Sequence, residues 1–267
     1  MDATTRLDIV LVQRGLARSR ARAREVILAG EVRVAGAVVT KPATPIGPGS
    51  EIEVDSDREW VGRAAHKLLG ALETFPIDVS DARCLDIGAC TGGFTQVLLW
   101  RGAAHVVALD VGHDQLAPEL VADQRVTERS GTSIRGVTPE DIGGAVDVVV
   151  GDLSFISLRL VLPEVAGLLS PDGEAVLLIK PQFEVGRGRV GRRGVVTSPG
   201  ARRDAVLGVL GAATGTGLVV RGLARSPIVG GEGNHEYLVH LTRGGEERPT
   251  WEALQVMAHE VVHEEER

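Results

Sequence analysis

Apolar positions recur along this chain in two rhythms, and the change between them falls near residue 60. In the first stretch, RLDIVLVQRGL puts Leu7, Val10 and Leu11 on one helical face, and Gly15 stops the run. SRARAREVILAG predicts a second short helix, capped by Ser19 and ended by Gly30. EVRVAGAVVTKP alternates like a hairpin that turns at Ala35-Gly36, and a further strand ends near Val54. Residues 1–57 therefore form a small α+β module, and 58–62 is the expected linker. Trp60 packs either between domains or on its own domain; the pattern leaves both open.

From residue 63 the rhythm becomes strand, helix, strand. RAAHKLLGALETF is helical, RCLDIG a strand and TGGFTQVLLWRG a helix; AHVVALD and GAVDVVVGD are strands. The helix LRLVLPEVAGLL, the strand GEAVLLIK and the helix SPGARRDAVLGVLGAATGTG follow, then the strands LVVRGLARS and HEYLVHLTR. Such alternation predicts an α/β domain over 63–267 with a doubly wound, mostly parallel sheet.

Composition narrows the function. The 267 residues are 43% hydrophobic but only 3% aromatic, so the core must be aliphatic. A net charge of −7 does not mark a general nucleic-acid binder, so any RNA contact must use local basic patches. Cys84 and Cys90 have no metal-ligand spacing and form no disulfide framework, which fits the cytosol. The N-terminus lacks a signal-peptide core, and no apolar run approaches the ~18 residues a membrane helix needs. A soluble cytoplasmic protein without a membrane partner is expected. Nothing in the pattern bears on oligomeric state; a monomer is the working expectation.

The loop after the first α/β strand carries the candidate chemistry: Asp86, Gly88, Ala89, Cys90, Thr91, Gly92, Gly93 and Phe94. It lacks the Lys-Ser/Thr of a phosphate-clasping loop. Cys90 also stands where a dinucleotide loop needs its second glycine, so NAD fits poorly. D-x-G-x-x-x-G-G instead resembles motif I of the class I S-adenosylmethionine methyltransferases. Asp110 ends the next strand about 20 residues on, where a carboxylate can accept from both ribose hydroxyls. Asp152 and Lys180 end later strands, and Glu236 begins the last one. Glu236 reaches the same sheet edge only if that strand is antiparallel. Lys67 lies on the helix before the first of these strands.

Of 29 basic residues only Lys41, Lys67 and Lys180 are lysines. A lysine at the end of an apolar strand therefore stands out, because a buried lysine can lose its proton and an arginine cannot. Position alone leaves Lys180 either a general base or a strand-end lysine satisfied by Asp152. As a base it suits a ribose 2′-hydroxyl, a poor nucleophile that must be deprotonated.

Together with RLDIVLVQRGLARSRARAREVILAGEVRVAG, RAAHKLLGALE, LDVGHDQL, VVGDLSFISL, LLIKPQFEVGRG and GNHEYL, the loop makes nearly the whole chain resemble the TlyA (hemolysin A) family of rRNA 2′-O-methyltransferases. The resemblance implies an N-terminal S4 RNA-binding domain and an FtsJ-like domain with a seven-stranded sheet whose last strand is antiparallel. By the same resemblance Lys67, Asp152, Lys180 and Glu236 look like a catalytic K-D-K-E tetrad. The glycine-loop residues, Asp110, Val111, Ser133 and Asp152 would line the cofactor site. Cytidine in 16S rRNA, 23S rRNA or both, on ribosomal subunits, is the implied substrate, with a link to capreomycin susceptibility. REWV (58–61) looks like the family's linker. The chain departs from the family where Cys90 replaces Ser, His113-Asp114 replaces Tyr-Gly and Ser133 replaces Asn.

Two basic stretches complete the picture. Arg14, Arg18, Arg20, Arg22 and Arg24 occur without an intervening acid, and Arg20 and Arg24 share a face while Arg22 points elsewhere. With Arg6 and Lys41 they are the expected phosphate contacts of the small module. GRGRVGRRG reads as a mobile loop carrying Arg187, Arg189, Arg192 and Arg193 to the mouth of the site. HEVVH (259–263) matches a zinc motif by letter only, four residues from the end of the sequence, so no metal is expected. Ser154 and Phe155 shape the pocket beside Asp152, since no glycine elbow makes Ser154 a nucleophile. The rivals are a ribosome-binding factor without activity, a membrane-lytic protein and a pseudouridine synthase.

Overall fold

The computed structural model describes the chain apart from residues 1–3, 18, 29, 55–59, 192, 246 and 264–267 and the side chains of Glu25 and Arg187. The chain divides after Arg63 into two compact units. In the first, β1 (Thr5–Arg6) leads into α1 (Leu7–Gln13), and α2 (Arg20–Leu28) follows. Ser19 Oγ accepts the Arg22 N–H at 3.2 Å, the capping contact its position predicts. β2 (Val32–Val34) and β3 (Ala37–Val38) form the hairpin, with Ala35 at φ 49° and Gly36 at φ 77°; two left-handed residues give the turn twist that flanking strands prefer. β4 (Pro45–Ile46) pairs with β1, and β5 (Ile52–Val54) pairs with β2. Leu7, Val10 and Leu11 meet Val26, Ile27 and Val32 in a small core. Trp60 is buried, and positions 58 and 59 of the expected linker lie outside the described residues.

The second unit runs α3 (Ala65–Thr74), β6 (Arg83–Ile87), α4 (Gly93–Trp100), β7 (His105–Leu109), α5 (Pro118–Val121), β8 (Val126–Arg129) and β9 (Val146–Gly151). Then come α6 (Leu162–Leu168), β10 (Leu169–Ile179), α7 (Pro181–Glu184), α8 (Pro199–Gly215), β11 (Val219–Arg225), β12 (Tyr237–Thr242) and α9 (Trp251–His263). Seven strands make one sheet in the order β11-β12-β10-β9-β6-β7-β8. From β10 to β8 neighbours are parallel, and β12 runs antiparallel to both β10 and β11. This is the expected α/β architecture. The strand that the pattern did not locate is β8: it is half-buried at the sheet edge, and Thr127, Glu128 and Arg129 hide its rhythm.

The central strands read as unbroken apolar runs because both faces are covered. Leu85, Ile87, Val149, Leu177, Ile179 and Val239 sit in one aliphatic core. Strand order reverses between β6 and β9, which opens a crevice at the carboxyl ends of the strands. Among the described residues no helix is long and apolar enough to cross a membrane.

Candidate active site

Sheet register brings the polar strand ends together. Gly151 pairs with Ile87 on one side and Leu177 on the other, and Ile179 pairs with Tyr237. The residues just beyond these pairs, Asp152, Lys180 and Glu236, therefore share one edge, and the first turn of α3 adds Lys67. Glu236 is there because β12 is antiparallel.

The four side chains form a continuous chain of contacts. Glu236 Oε2 accepts from Lys67 Nζ at 2.7 Å, and Lys67 Nζ also donates to Asp152 Oδ2 at 3.0 Å. Asp152 Oδ1 lies 2.6 Å from Lys180 Nζ, which donates in turn to Ser154 Oγ at 2.8 Å. Lys67, Lys180 and Glu236 are buried. Two ammonium and two carboxylate groups offset each other, so the cluster carries no uncompensated charge into the interior. Burial alone would raise the Asp152 pKa, but the flanking charges of Lys67 and Lys180 outweigh it and hold the carboxyl below its ordinary value. Removing one member leaves a buried charge unpaired, which costs about 3–5 kcal/mol.

Beside the cluster lies a cavity of about 540 Å³, lined among others by Gly88, Cys90, Asp110, Val111, Ser133 and Asp152. This is a volume typical of small-molecule sites. One glycine of the loop shapes its wall, and a second turns the chain behind it. Gly88 has φ +81°, and a Cβ there would meet the Asp152 carbonyl oxygen at 3.2 Å; Gly92 has φ +93°, and a Cβ there would meet Leu120 at 2.2 Å. Asp110 is fixed by two backbone donors, Cys90 N–H at 2.9 Å and Gly112 N–H at 2.7 Å. Ala89 lines a smaller neighbouring hollow with Cys90 and Asp110. Thr91, Gly92, Gly93 and Phe94 do not line the large cavity; they turn the chain into α4, where Phe94 is buried. Asp86 is fully buried, and its Oδ2 accepts from Thr95 N–H at 2.9 Å and Thr95 Oγ at 2.7 Å. Burial pushes its carboxyl up to about 7 against those hydrogen bonds. Asp86 Oδ1 has no partner. Asp86 lines neither hollow, so it acts on the loop from behind, but a glycine cradle beside a fixed carboxylate suits a ligand with a ribose, and the residues present fit S-adenosylmethionine.

Asp114 stands where the family resemblance expects glycine, and it has φ +53°. The backbone keeps the left-handed turn, which a short polar side chain tolerates. Ser154 and Phe155 line the cavity with Asp152, as the sequence reading has them, while Thr95, Asn234 and Glu184 were not anticipated as supports of the site. Asn234 is buried, takes the Val196 N–H at 2.9 Å and donates to the Gly194 carbonyl at 2.9 Å, tying the end of the Gly/Arg loop to the segment bearing Glu236.

The arginines divide. Arg24 and Lys41 are exposed, and Arg14 is exposed while donating to the Pro48 and Ser50 carbonyls. Arg6 and Arg20 pair with Asp8 at 2.9 and 3.1 Å. Arg22 is buried, which corrects its assignment as a phosphate contact: its guanidinium is withdrawn from solvent. Arg18 and Arg192 lie outside the described residues, as does the side chain of Arg187. The loop expected to be mobile is held by hydrogen bonds: Gly191 N–H to Val195 O at 3.0 Å, the Asn234 clamp, and an Arg189–Asp204 ion pair at 2.7 Å. Arg193 is exposed. Among the described residues no cluster of His, Cys, Asp and Glu could hold a metal, and HEVVH lies in α9.

Comparison with known proteins agrees with this arrangement. The FtsJ-like methyltransferase model matches residues 60–243, and the S4 domain model matches residues 5–52. The chain is 50% identical over 266 residues, 99% of each chain, to the 16S/23S rRNA (cytidine-2′-O)-methyltransferase TlyA of Mycobacterium tuberculosis. It is 39% identical over 237 residues to hemolysin A of Brachyspira hyodysenteriae, covering 88% of this chain and 99% of that one. A solved structure of a candidate hemolysin from Streptococcus thermophilus superposes with a TM-score of 0.73 at 35% identity, covering 99% and 98% of the two chains. With a glycine-loop cradle, a buried tetrad and matches across both units, the chain belongs to the FtsJ-like methyltransferase family, in the S4-bearing branch that includes TlyA.

Proposed function

We propose that this protein transfers a methyl group from S-adenosylmethionine to the ribose 2′-oxygen of a cytidine in ribosomal RNA, acting in the cytoplasm on assembled subunits. The observation that carries the reading is the buried Lys67–Asp152–Lys180 chain at the lip of the cavity, with Lys180 2.6 Å from Asp152. The chemistry supplied by bound S-adenosylmethionine is an electrophilic methyl group on a sulfonium. Gly88, Cys90, Asp110, Val111 and Ser133 hold the cofactor. Lys180 takes the proton of the 2′-hydroxyl, and Asp152 fixes the direction of its amine. Lys67 shares Asp152 with it, and Glu236 balances the second cation. Most of the remaining rate comes from in-line positioning. Arg20, Arg24, Lys41, Arg189 and Arg193 hold the RNA through its phosphates, which fix register without reading sequence.

The name of the 50% identical relative supports both 16S and 23S rRNA as substrates; the link to capreomycin susceptibility is carried by the family resemblance alone. The test is transfer of labelled methyl from S-adenosylmethionine to purified, unmodified 30S and 50S subunits. Label in RNA of both subunits, at a ribose that resists alkaline cleavage, is expected. Label in one subunit narrows the substrate. Cofactor binding without any label in RNA overturns the reading in favour of a binding factor.

A further inference from the structure

The segment after Asp152 is held in an unusual way. Phe155 has φ +64°, a left-handed conformation that a bulky residue rarely adopts, and the residue is 91% exposed. Such a conformation persists only where the surroundings fix it. Two residues further on the chain is held by Glu184, a buried carboxylate on α7. Its Oε2 accepts from Ser157 Oγ at 2.6 Å and its Oε1 from Leu158 N–H at 2.7 Å. Arg159 adds donors to Glu184 Oε2 at 3.2 Å and to its carbonyl at 2.9 Å. One face of the segment is thus tied to the turn that follows Lys180. The residue presented at its start is Ser154, whose Oγ accepts from Lys180 Nζ at 2.8 Å.

We propose that Ser154 is a positioning residue for Lys180, aiming the amine at the hydroxyl to be methylated. The inference rests on the function proposed above. A lysine ammonium has three donors. Ser154 Oγ takes one, the hydrogen bond Lys180 Nζ makes, while Asp152 Oδ1 lies 2.6 Å away as an ion-pair contact, and no other partner of Lys180 Nζ is present among the described residues. In the neutral amine the hydrogen bond to Ser154 and the close contact with Asp152 claim two directions, and the lone pair occupies the remaining one. The hydrogen bond and the ion-pair contact together restrict where the lone pair points. The proton of the 2′-hydroxyl moves to Lys180 Nζ as the new O–CH3 bond forms and the S–CH3 bond breaks, leaving a neutral thioether. Asp152 alone would leave the amine free to rotate about a single ion-pair contact. The charged groups facing Lys180 are Asp152 directly and, through Asp152, Lys67 and Glu236; Glu184 is turned to Ser157, Leu158 and Arg159.

Ser154→Ala and Ser154→Thr, in the full chain, separate this role from simple packing. Ser154 is exposed, so neither change empties the core. With both substrates saturating, Ser154→Ala is expected to lower kcat about tenfold, the scale of one hydrogen bond to a charged group. KM for the subunit and cofactor affinity by calorimetry stay within about threefold, because the hydroxyl acts on the base and not on binding. Ser154→Thr, which keeps the hydroxyl, restores most of kcat. A Ser154→Ala enzyme with wild-type kcat overturns the inference, as does a fall in kcat matched by a rise in KM or a loss that threonine fails to rescue. If the wild-type protein itself puts no label on ribose, the proposed function falls, and that result is read before any variant is made.

Discussion

Asp8 and Asp152 each hold two cations, but their partners differ in kind and in exposure. Asp8, in α1, is fully buried and pairs with Arg6 and Arg20, whose side chains are 46% and 60% exposed. Asp152 pairs with Lys67 and Lys180, whose side chains are 5% and 9% exposed. The Asp8 carboxyl is held at about 2, chiefly by its hydrogen bond to Arg6, against the cost of burial. Arginine keeps its charge under all conditions and presents a planar fork, so the Asp8 cluster is a fixed anchor for two surface cations. Lysine is a point charge that can be deprotonated when desolvated, which is what the proposed function asks of the Asp152 cluster. One geometry, a carboxylate between two cations, yields a strut in one unit and, on the proposed function, an acid–base site in the other.

Exchanging the partner types breaks that contrast most sharply. Lys180→Arg keeps the charge but removes the base, and Lys180→Ala removes both. Each is expected to lower methyl transfer by about 10²–10⁴-fold. Cofactor affinity by calorimetry should remain close to wild type. Transfer retained by Lys180→Arg would show that the charge, and not the proton, is what the reaction uses.

Asp8→Asn should act on stability instead of chemistry. The N-terminal unit is expected to melt several degrees lower by calorimetry, about 4–8 °C for each kcal/mol lost in a domain of this size. The wild-type contribution has a defined pH sign. Because the folded pKa is depressed from 3.8 to about 2, it is complete above 3.8 and is lost as pH falls through about 2. A melting difference between wild type and Asp8→Asn that persists unchanged at the acid end contradicts the strut.

A smaller effect is expected from Arg20→Ala with Arg24→Ala. RNA binding should weaken, and the slope of log affinity against log salt should flatten by about one for each phosphate no longer neutralised. An unchanged slope removes these arginines from the interface. The smallest effect belongs to Asp204→Asn, which releases Arg189 from an exposed ion pair: stability should change by less than about 1 kcal/mol in denaturant titration.

The polar residues of the sheet edge were legible because most of them sit at strand ends, where an apolar run stops at a polar residue of unusual type. Asp110, Asp152 and Lys180 stand out in this way, and the scarcity of lysine singles out Lys180. Of the supports only Ser154 was legible, as a pocket residue beside Asp152, and its bond to Lys180 was not. Ser154, Glu184 and Asn234 lie in loops or short turns without periodicity, and their hydrogen bonds join segments 26, 26 to 27, and 38 to 40 residues apart. Arg22 and Arg24 look alike in sequence, two positions apart on one helix, yet one is buried and the other exposed.

The sequence by itself determined the two-unit organisation of the pattern, the parallel sheet, the glycine loop and the identity of the four tetrad side chains. Each is encoded locally, by hydrophobic period, backbone freedom at glycine, or residue type at the end of a strand. Only the tertiary structure decided that Lys67 and Glu236, 169 positions apart, meet at 2.7 Å, because that depends on β12 running against β10. It also decided that Lys180 donates to Ser154 and that the Gly/Arg loop is pinned. Those are long-range interactions set by the packing of segments, and no local pattern carries them.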